Sequence, residues 1–249
     1  MNANSQNTSI NQSRLRQDLA ALGIGAGDLV FFHSSLKSIG QVDGGPDAVL
    51  DAFLAALGES GTLALPALCK YDWKSTPMPE IEKIYRASPQ PTFTGLIPET
   101  FRRRPHVLRS DNPTHSVAAC GPLAAAITGE HARAYGGENA ADRPVWASRG
   151  AFGPHSPWDK LYQFDAKYMF IGVDFNVCTI FHHVQVLLLI DGPAACWPKF
   201  DFRALGRQMD AAGLVRHGRL GQADTQWIGC RALVDNALRM LRQTGLPAS

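Results

Sequence analysis

Apolar and polar stretches alternate along the chain in a way that predicts strands and helices in alternating order. Residues 29–32, Leu-Val-Phe-Phe, form a short apolar run typical of a buried strand, and residues 62–65 form a second one. Between them, apolar residues recur at helical spacing over residues 45–57. This order predicts a βαβ unit with two parallel strands and a right-handed crossover.

The same reasoning predicts further elements along the chain. A first helix carries leucines at positions 15, 19 and 22, and residues 1–12 before it are polar and expected to be disordered. The other predicted elements are a short helix over 99–104, strands over 117–120 and 167–173, a buried helix over about 179–189 and an amphipathic helix over 228–241. Residues 67–98 are rich in proline and aromatic residues and predict a long irregular segment, typical of a lid or binding wall.

Composition narrows the class of protein. A chain of 249 residues with 45% hydrophobic residues favours one α/β domain over residues 1–249. A net charge of +2 provides no electrostatic footprint for nucleic acid, and apolar runs such as residues 186–190 are too short to cross a membrane. The five cysteines form no C-x-x-C, and residues 1–13 lack the apolar core of a signal peptide. We therefore expect a cytoplasmic protein with reduced thiols and no metal site.

A loop rich in hydroxyl groups and glycine follows the first strand. Its residues are Ser34, Ser35, Lys37, Ser38, Gly40, Gly44 and Gly45, and Pro46 then marks a helix start. Glycines allow backbone N–H groups to approach a ligand closely, and a helix N-terminus adds partial positive charge. The loop therefore favours a phosphate site, although it matches neither the ATP-type nor the dinucleotide glycine pattern. The alternative is a tight turn with a polar tip.

A histidine follows the strand predicted over residues 167–173. Ligands of open α/β sheets bind at the carboxyl ends of strands, and this end leads to Thr179, His182 and Gln185. If Thr179 caps the next helix, His182 falls in its first turn, where the helix dipole favours a neutral imidazole that can act as a base. Gln185 lies three residues on, on the same helix face, and can fix the tautomer. The alternative is a buried histidine satisfied by the backbone, as we expect for His183.

Five motifs occur in a fixed order along the chain. They read His-Ser-Ser-Leu-Lys-Ser-Ile-Gly-x-Val-x-Gly-Gly at residues 33–45, Gly-Thr-Leu-x-x-Pro at 61–66, Arg-Ser-x-x-Pro-x-x-Ser-x-x-Ala-x-Gly at 109–121, Ser-Pro-Trp-x-Lys-Leu at 156–161 and Thr-x-x-His at 179–182. Together they resemble the aminoglycoside 3-N-acetyltransferases, the antibiotic N-acetyltransferase family. The resemblance extends over nearly the whole chain, because residues 218–241 are similar to the family's closing Gly-x-Ala loop and helix.

The resemblance implies a fold, a reaction and partners. The fold is a three-layer α/β/α arrangement with a mostly parallel or mixed central sheet, distinct from the small GNAT acetyltransferases. The donor is acetyl-CoA or another acyl-CoA, the acceptor is a small-molecule amine, and no metal takes part. The activity is of the kind associated with antibiotic resistance, in a monomer or homodimer with neither nucleic acid nor membrane as a partner.

The resemblance also assigns roles by position. The pantetheine and pyrophosphate of the donor would run along the loop after the first strand, with two serines of the third motif nearby. The residues concerned are His33, Ser34, Ser35, Lys37, Ser38, Gly40, Val42 and Gly45, with Ser110 and Ser116. His182 would be the general base for the acceptor amine, Thr179 would support the oxyanion, and Gln185 would orient the imidazole.

The chain departs from the family pattern beside the histidine. The family carries Thr-x-x-His-x-x-Glu, whereas this chain has Gln185, and Asn176 stands where we expect a family carboxylate. The segment after residue 190, which lines the acceptor site in the family, is short. Because sites for polycationic aminoglycosides are rich in acids, we expect a smaller amine or an amino sugar as the acceptor and regard an aminoglycoside as less favoured.

Two other functions stay open at this point. Cys178 or Cys120 could pair with His182 in a Cys–His acyltransferase or hydrolase. The scaffold could also bind CoA or another ligand without catalysis. Tyr71 and Trp73 are expected to line the acceptor pocket, and His115 is a candidate for facing the donor.

Overall fold

A computed structural model describes residues 9–71, 76–87, 90–131, 150–191 and 198–243. Within these ranges, seven strands form one mixed sheet. The strands are β1 Leu29–Ser34, β2 Thr62–Pro66, β3 Leu108–Arg109, β4 Val117–Cys120, β5 Lys167–Ile171, β6 Arg216–Leu220 and β7 Ala223–Gly229. Their order across the sheet is β3-β4-β2-β1-β5-β7-β6.

Helices cover both faces of this sheet. They are α1 Gln12–Ala21, α2 Leu36–Ile39, α3 Gly45–Leu57, α4 Met78–Ala87, α5 Leu96–Arg102, α6 Ala124–Thr128, α7 Pro157–Gln163, α8 Phe181–Asp191, α9 Phe202–Ala211 and α10 Cys230–Gln243, with a 3₁₀ turn over Phe175–Val177. No helix of the described ranges is long and apolar enough to cross a membrane.

The centre of the sheet is parallel and its flanks are antiparallel. β1 pairs in parallel with β2, where Leu29 lies opposite Thr62, and with β5, where Val30 lies opposite Lys167. β4 and β7 run antiparallel to β2 and β5. The predicted βαβ unit and the mixed α/β/α architecture are confirmed. The carboxyl ends of the three parallel strands meet at one edge, where the loops after β1 and β5 come together.

Alternation along β1 assigns its side chains to two cores. Phe31 belongs to the core under α6 to α10, whereas Val30 and Phe32 pack with α1, α3 and α5 on the opposite face. His33 lies two residues beyond Phe31 and therefore on the face that α8 covers. The loop after β1 connects this face to α3 on the other one.

The loops at this edge pack closely because of a glycine. Gly172 follows β5 with φ 64°, and a Cβ at this position would lie 2.2 Å from the Cβ of Ser38. The strand predicted over 167–173 therefore ends at Ile171, and the chain turns directly against the loop after β1.

The C-terminal part differs from the sequence prediction. The helix predicted over 228–241 begins only at Cys230, because residues 223–229 form β7, which pairs with β6 in a hairpin. Neither strand was predicted, and α9 was not predicted either. Four of the five residues of β6 are exposed, as is common in an edge strand, so the strand shows no apolar alternation.

Two other expectations require correction. Residues 1–8 lie outside the described ranges, but Ile10 is buried and forms a bridge with Val42, so residues 9–12 are not disordered. A single apolar side chain among polar neighbours is enough to anchor this segment. The irregular segment expected over 67–98 contains α4, in which Pro79 occupies the first turn that proline tolerates.

Candidate active site

His182 lies in the first turn of α8. Its backbone N–H donates to the carbonyl of Thr179 at 3.0 Å. The half-buried ring stands near two aromatic rings, with centroid distances of 5.0 Å to Phe152 and 5.4 Å to Phe202. Because apolar rings exclude water from its surroundings, the environment disfavours a charged imidazolium.

Gln185 determines the tautomer of His182. The Nε2 of the buried Gln185 donates to the carbonyl of Pro198 at 2.5 Å, so its Oε1 faces Nδ1 of His182 at 2.6 Å. An amide oxygen only accepts, so Nδ1 carries the proton and the lone pair lies on Nε2. Burial lowers the pKa of His182, and the hydrogen bond that the ring donates to the oxygen of Gln185 opposes this shift in part. The imidazole is therefore neutral at pH 7, as a general base must be.

Thr179 does not cap α8. Its hydroxyl donates to the carbonyl of Val177 at 3.3 Å, and the helix begins two residues later at Phe181. The half-buried side chain of Thr179 nevertheless lies one turn before His182, as expected from the sequence.

A buried tyrosine connects β1 to the start of α8. The hydroxyl of Tyr168 lies 2.8 Å from Nε2 of His33 and accepts the N–H of Ile180 at 3.3 Å. The hydroxyl can accept from Ile180 and still form a second hydrogen bond with His33. Burial lowers the pKa of His33 to about 3, which keeps this ring neutral. The end of β1 and the turn that carries His182 therefore lie on the same side of the sheet.

The loop after β1 presents a compact polar surface. The Oγ of Ser35 caps α2 by accepting from the backbone N–H of Ser38 at 3.3 Å, and it also accepts from the Ser38 hydroxyl at 2.9 Å. Lys37 is exposed. The buried Oγ of Ser34 has no hydrogen-bond partner among the described residues. The loop thus offers one cation and one unsatisfied hydroxyl at the sheet edge.

The N-terminus of α3 lies at the end of this loop. Gly44, with φ 82°, precedes the helix and makes no side-chain cap, and Pro46 follows at the first turn. A Cβ on Gly45 would meet open space. Gly40, by contrast, packs against the side chain of Gln222, and Val42 is half-buried. The N–H of Gly45 already donates to the carbonyl of Val42 at 3.0 Å, the N–H of Ala48 donates to the carbonyl of Gly44 at 3.4 Å, and Pro46 has no N–H. Among the described residues, this helix end therefore offers an anion the N–H of Asp47 and the helix dipole.

The two serines of the third motif are buried within the protein. Ser110 Oγ accepts from the N–H of Val117 at 2.9 Å and lies 2.8 Å from Nδ1 of His131. Ser116 Oγ donates to the carbonyl of Ala67 at 2.6 Å. Both side chains are fully buried, so their packing does not support direct contacts with a donor. They shape the turn before β4 instead.

The cysteine of the Cys–His alternative is poorly suited to catalysis. Cys178 is fully buried, and burial raises the pKa of its thiol well above the ordinary value. A nucleophilic cysteine requires a thiolate in an accessible place, so this geometry does not favour the alternative. Cys120, the other candidate, is half-buried at the end of β4.

The structure also locates the other histidine and aromatic residues that the sequence singled out. His183 is buried and its Nδ1 donates to the carbonyl of Phe152 at 2.6 Å, in agreement with a structural role. Tyr71 lies beside Cys69 and Tyr85, and Trp73 is outside the described residues. No group of three or more histidine, cysteine or acidic side chains in the described ranges could hold a metal ion.

Sequence reasoning missed several residues of this region. In the sequence, Tyr168 is an ordinary residue of a predicted buried strand. Its contact with His33 depends on the pairing of β1 with β5. Phe202 lies in a helix that was not predicted, and Phe152 belongs to none of the motifs. The signal for these contacts is absent from local sequence because each depends on residues far apart in the chain.

A family profile described as aminoglycoside 3-N-acetyltransferase matches residues 31–196, more than half of the chain. The chain belongs to this family. The aminoglycoside N(3)-acetyltransferase VII of Streptomyces paromomycinus is 29% identical, and the alignment covers 91% of this chain and 89% of that protein.

Solved structures agree with this family and fold. The crystal structure of the YokD protein from Bacillus subtilis matches with a TM-score of 0.72 at 26% identity, covering 93% of both chains. The AAC-IIIb binary structure with CoASH matches with a TM-score of 0.78 at 23% identity, covering 97% of this chain and 100% of that one. The N-acetyltransferase class and the acetyl-CoA co-substrate expected from the resemblance are confirmed by family membership.

The tyrosine bridge predicts a stability difference. Tyr168→Phe should lower the free energy of unfolding by about 1–3 kcal/mol, because it leaves buried His33 Nε2 and the Ile180 N–H without a partner. Tyr162→Phe is a matched control, because the hydroxyl of Tyr162 donates to the exposed Asp235. This substitution should lower the free energy of unfolding by less than about 1 kcal/mol. Urea unfolding measures both, and equal losses would contradict the assignment.

Proposed function

We propose that this chain transfers the acetyl group of acetyl-CoA, or another acyl group, to an amine of a small molecule, with His182 as the general base. The observation that carries the proposal is the hydrogen-bonded series from Pro198 through Gln185 to Nδ1 of His182. It fixes a neutral imidazole with its lone pair on Nε2, at the edge of the sheet where the donor loop lies.

The chemistry needs no covalent intermediate on the protein. The amine nitrogen attacks the thioester carbonyl carbon while Nε2 of His182 takes one of its protons. The C–S bond then breaks, and the imidazolium returns the proton to the leaving thiolate. Thr179, at the turn before His182, would support the oxyanion, for which its hydroxyl has to leave the carbonyl of Val177 that it now contacts at 3.3 Å. The ring is neutral before attack, protonated while the C–S bond breaks and neutral again once the thiol has left, so the proton lost by the amine ends on the thiol.

The donor would occupy the loop after β1. The N-terminus of α3 would contribute its helix dipole and the N–H of Asp47 to the pyrophosphate, and exposed Lys37 adds a positive charge. Ser35 and Ser38 contribute hydroxyls at the same edge. The AAC-IIIb structure that shares this fold was solved with CoASH.

The acceptor proposed here is a small amine or an amino sugar. The rings beside His182 are those of Phe152 and Phe202, and its hydrogen-bond partner at Nδ1 is an uncharged amide. Asp174, close in the chain, is already paired with Arg203. Relatives are named for aminoglycosides, which are polycations and gain most from unpaired carboxylates, so we regard them as the less favoured acceptors.

Replacement of the base tests the mechanism. His182→Ala should reduce acetyl transfer by about 10²-fold or more, the usual contribution of a general base. His217→Ala is the control, because this exposed histidine of β6 pairs with Asp210 of α9 and should leave turnover unchanged. Thiol release from acetyl-CoA measures both. Full turnover by His182→Ala would remove His182 from the mechanism.

The pH dependence tests the role of Gln185. The base must be neutral, so kcat/KM falls as the pH drops through the pKa of His182, which burial holds below 6.5. Gln185→Glu should raise that pKa and move the acidic limb of the profile to higher pH, because a carboxylate stabilises the imidazolium. Gln185→Leu, which removes the tautomer-fixing contact without adding charge, should lower kcat without this upward shift. An unmoved limb in Gln185→Glu would contradict the assignment.

A panel of amines tests the acceptor class. Small primary amines and amino sugars should be acetylated with kcat/KM at least about tenfold above that of gentamicin-type aminoglycosides. The opposite order would assign aminoglycosides to this enzyme. Binding of CoA without thiol release on any amine would instead favour a ligand-binding protein.

A further inference from the structure

A second histidine stands beside the proposed base in a rigid turn. His115 lies just before β4, and its backbone N–H donates to Oδ1 of Asn112 at 2.9 Å. Its carbonyl accepts from Nε1 of Trp158 at 3.3 Å. The backbone of this residue is thus held from both sides, so the position of its ring is well defined.

Neighbouring hydrogen bonds fix the tautomer of His115. The hydroxyl of Thr114 donates its hydrogen to Oδ1 of Asn112 at 3.0 Å. The Oγ1 of Thr114 must therefore accept the hydrogen bond from Nδ1 of His115 at 2.6 Å. Nδ1 therefore carries the proton and Nε2 carries the lone pair. Within the described ranges no hydrogen bond reaches Nε2, and the residue is half-buried.

His115 and His182 share an aromatic wall. The ring of His115 lies 4.6 Å from that of Phe152, and the ring of His182 lies 5.0 Å from it. Burial, with smaller contributions from His182 and His131, lowers the pKa of His115 to about 3. Two neutral imidazoles thus pack against the same ring, each protonated at Nδ1 and each with an acceptor at Nε2.

We propose that His115 contacts the acceptor amine, accepting at Nε2 the N–H that His182 does not take. This inference rests on the proposed function. An attacking primary amine directs its lone pair to the carbonyl carbon and has two N–H bonds left for the two imidazoles. Because Nε2 of His115 carries no hydrogen, it cannot donate to the oxyanion. A secondary amine would leave His115 facing an alkyl group, so the pair selects primary amines.

Two substitutions distinguish this contact from a structural role. In His115→Gln, the side-chain amide extends about as far as Nε2 of the histidine. In His115→Asn, the shorter amide extends only to the position of Nδ1, beside Thr114. His115→Asn should raise the KM for a primary amine about tenfold, as expected for a lost buried hydrogen bond, with the KM for acetyl-CoA unchanged. His115→Gln should stay within about threefold of the wild type. The reverse order would show that Nδ1 matters and would overturn the proposal.

A pair of amines tests the same contact without relying on a folded variant. The wild type should acetylate a primary amine with kcat/KM about tenfold above its N-methyl derivative, and His115→Phe, which keeps a ring on Phe152, should reduce this preference. Equal rates for the two amines in the wild type would overturn the inference.

His182→Ala, measured in parallel, separates the two proposals. Loss of transfer in His182→Ala together with wild-type behaviour of all His115 variants would refute the role of His115 alone. Full transfer by His182→Ala would refute the proposed function and this inference with it.

Discussion

The hydroxyl of Tyr168 joins two parts of the chain that lie far apart in sequence. It bonds to His33, 135 residues earlier, and accepts the N–H of Ile180 at the turn that leads to His182. The group is fully buried, and a buried polar atom that loses its partner costs about 1–3 kcal/mol. The position of α8 relative to the loop after β1 therefore depends on this oxygen.

The site operates with neutral side chains. Burial lowers the pKa of His33, His115 and His182, and the partner of His182 is an amide rather than a carboxylate. Gln185 also uses its N–H to reach Pro198, a contact that an ionised glutamate cannot make. The amide of Gln185 therefore holds both Pro198 and the ring of His182, but it supplies no charge that would stabilise an imidazolium.

Local sequence predicted some parts of this site and missed others for identifiable reasons. The spacing of His182 and Gln185 on one helix face was enough to predict their contact, because helical geometry brings residues three apart together. Ser110 and Ser116 were predicted to contact the donor, but their hydroxyls form hydrogen bonds within the protein around the turn before β4. The sequence alone does not distinguish a serine whose hydroxyl faces a ligand from one whose hydroxyl bonds to a backbone group.

The sequence by itself determined the family, the parallel centre of the sheet and the glycine-rich loop, because these follow from ordered motifs and from hydrophobic periodicity along continuous segments. Only the tertiary structure decided that the β6–β7 hairpin flanks the sheet and that Tyr168 bridges to His33. It likewise decided that His115 shares the ring of Phe152 with His182. These features depend on pairing register and packing between distant segments, and no local pattern specifies which distant residues meet.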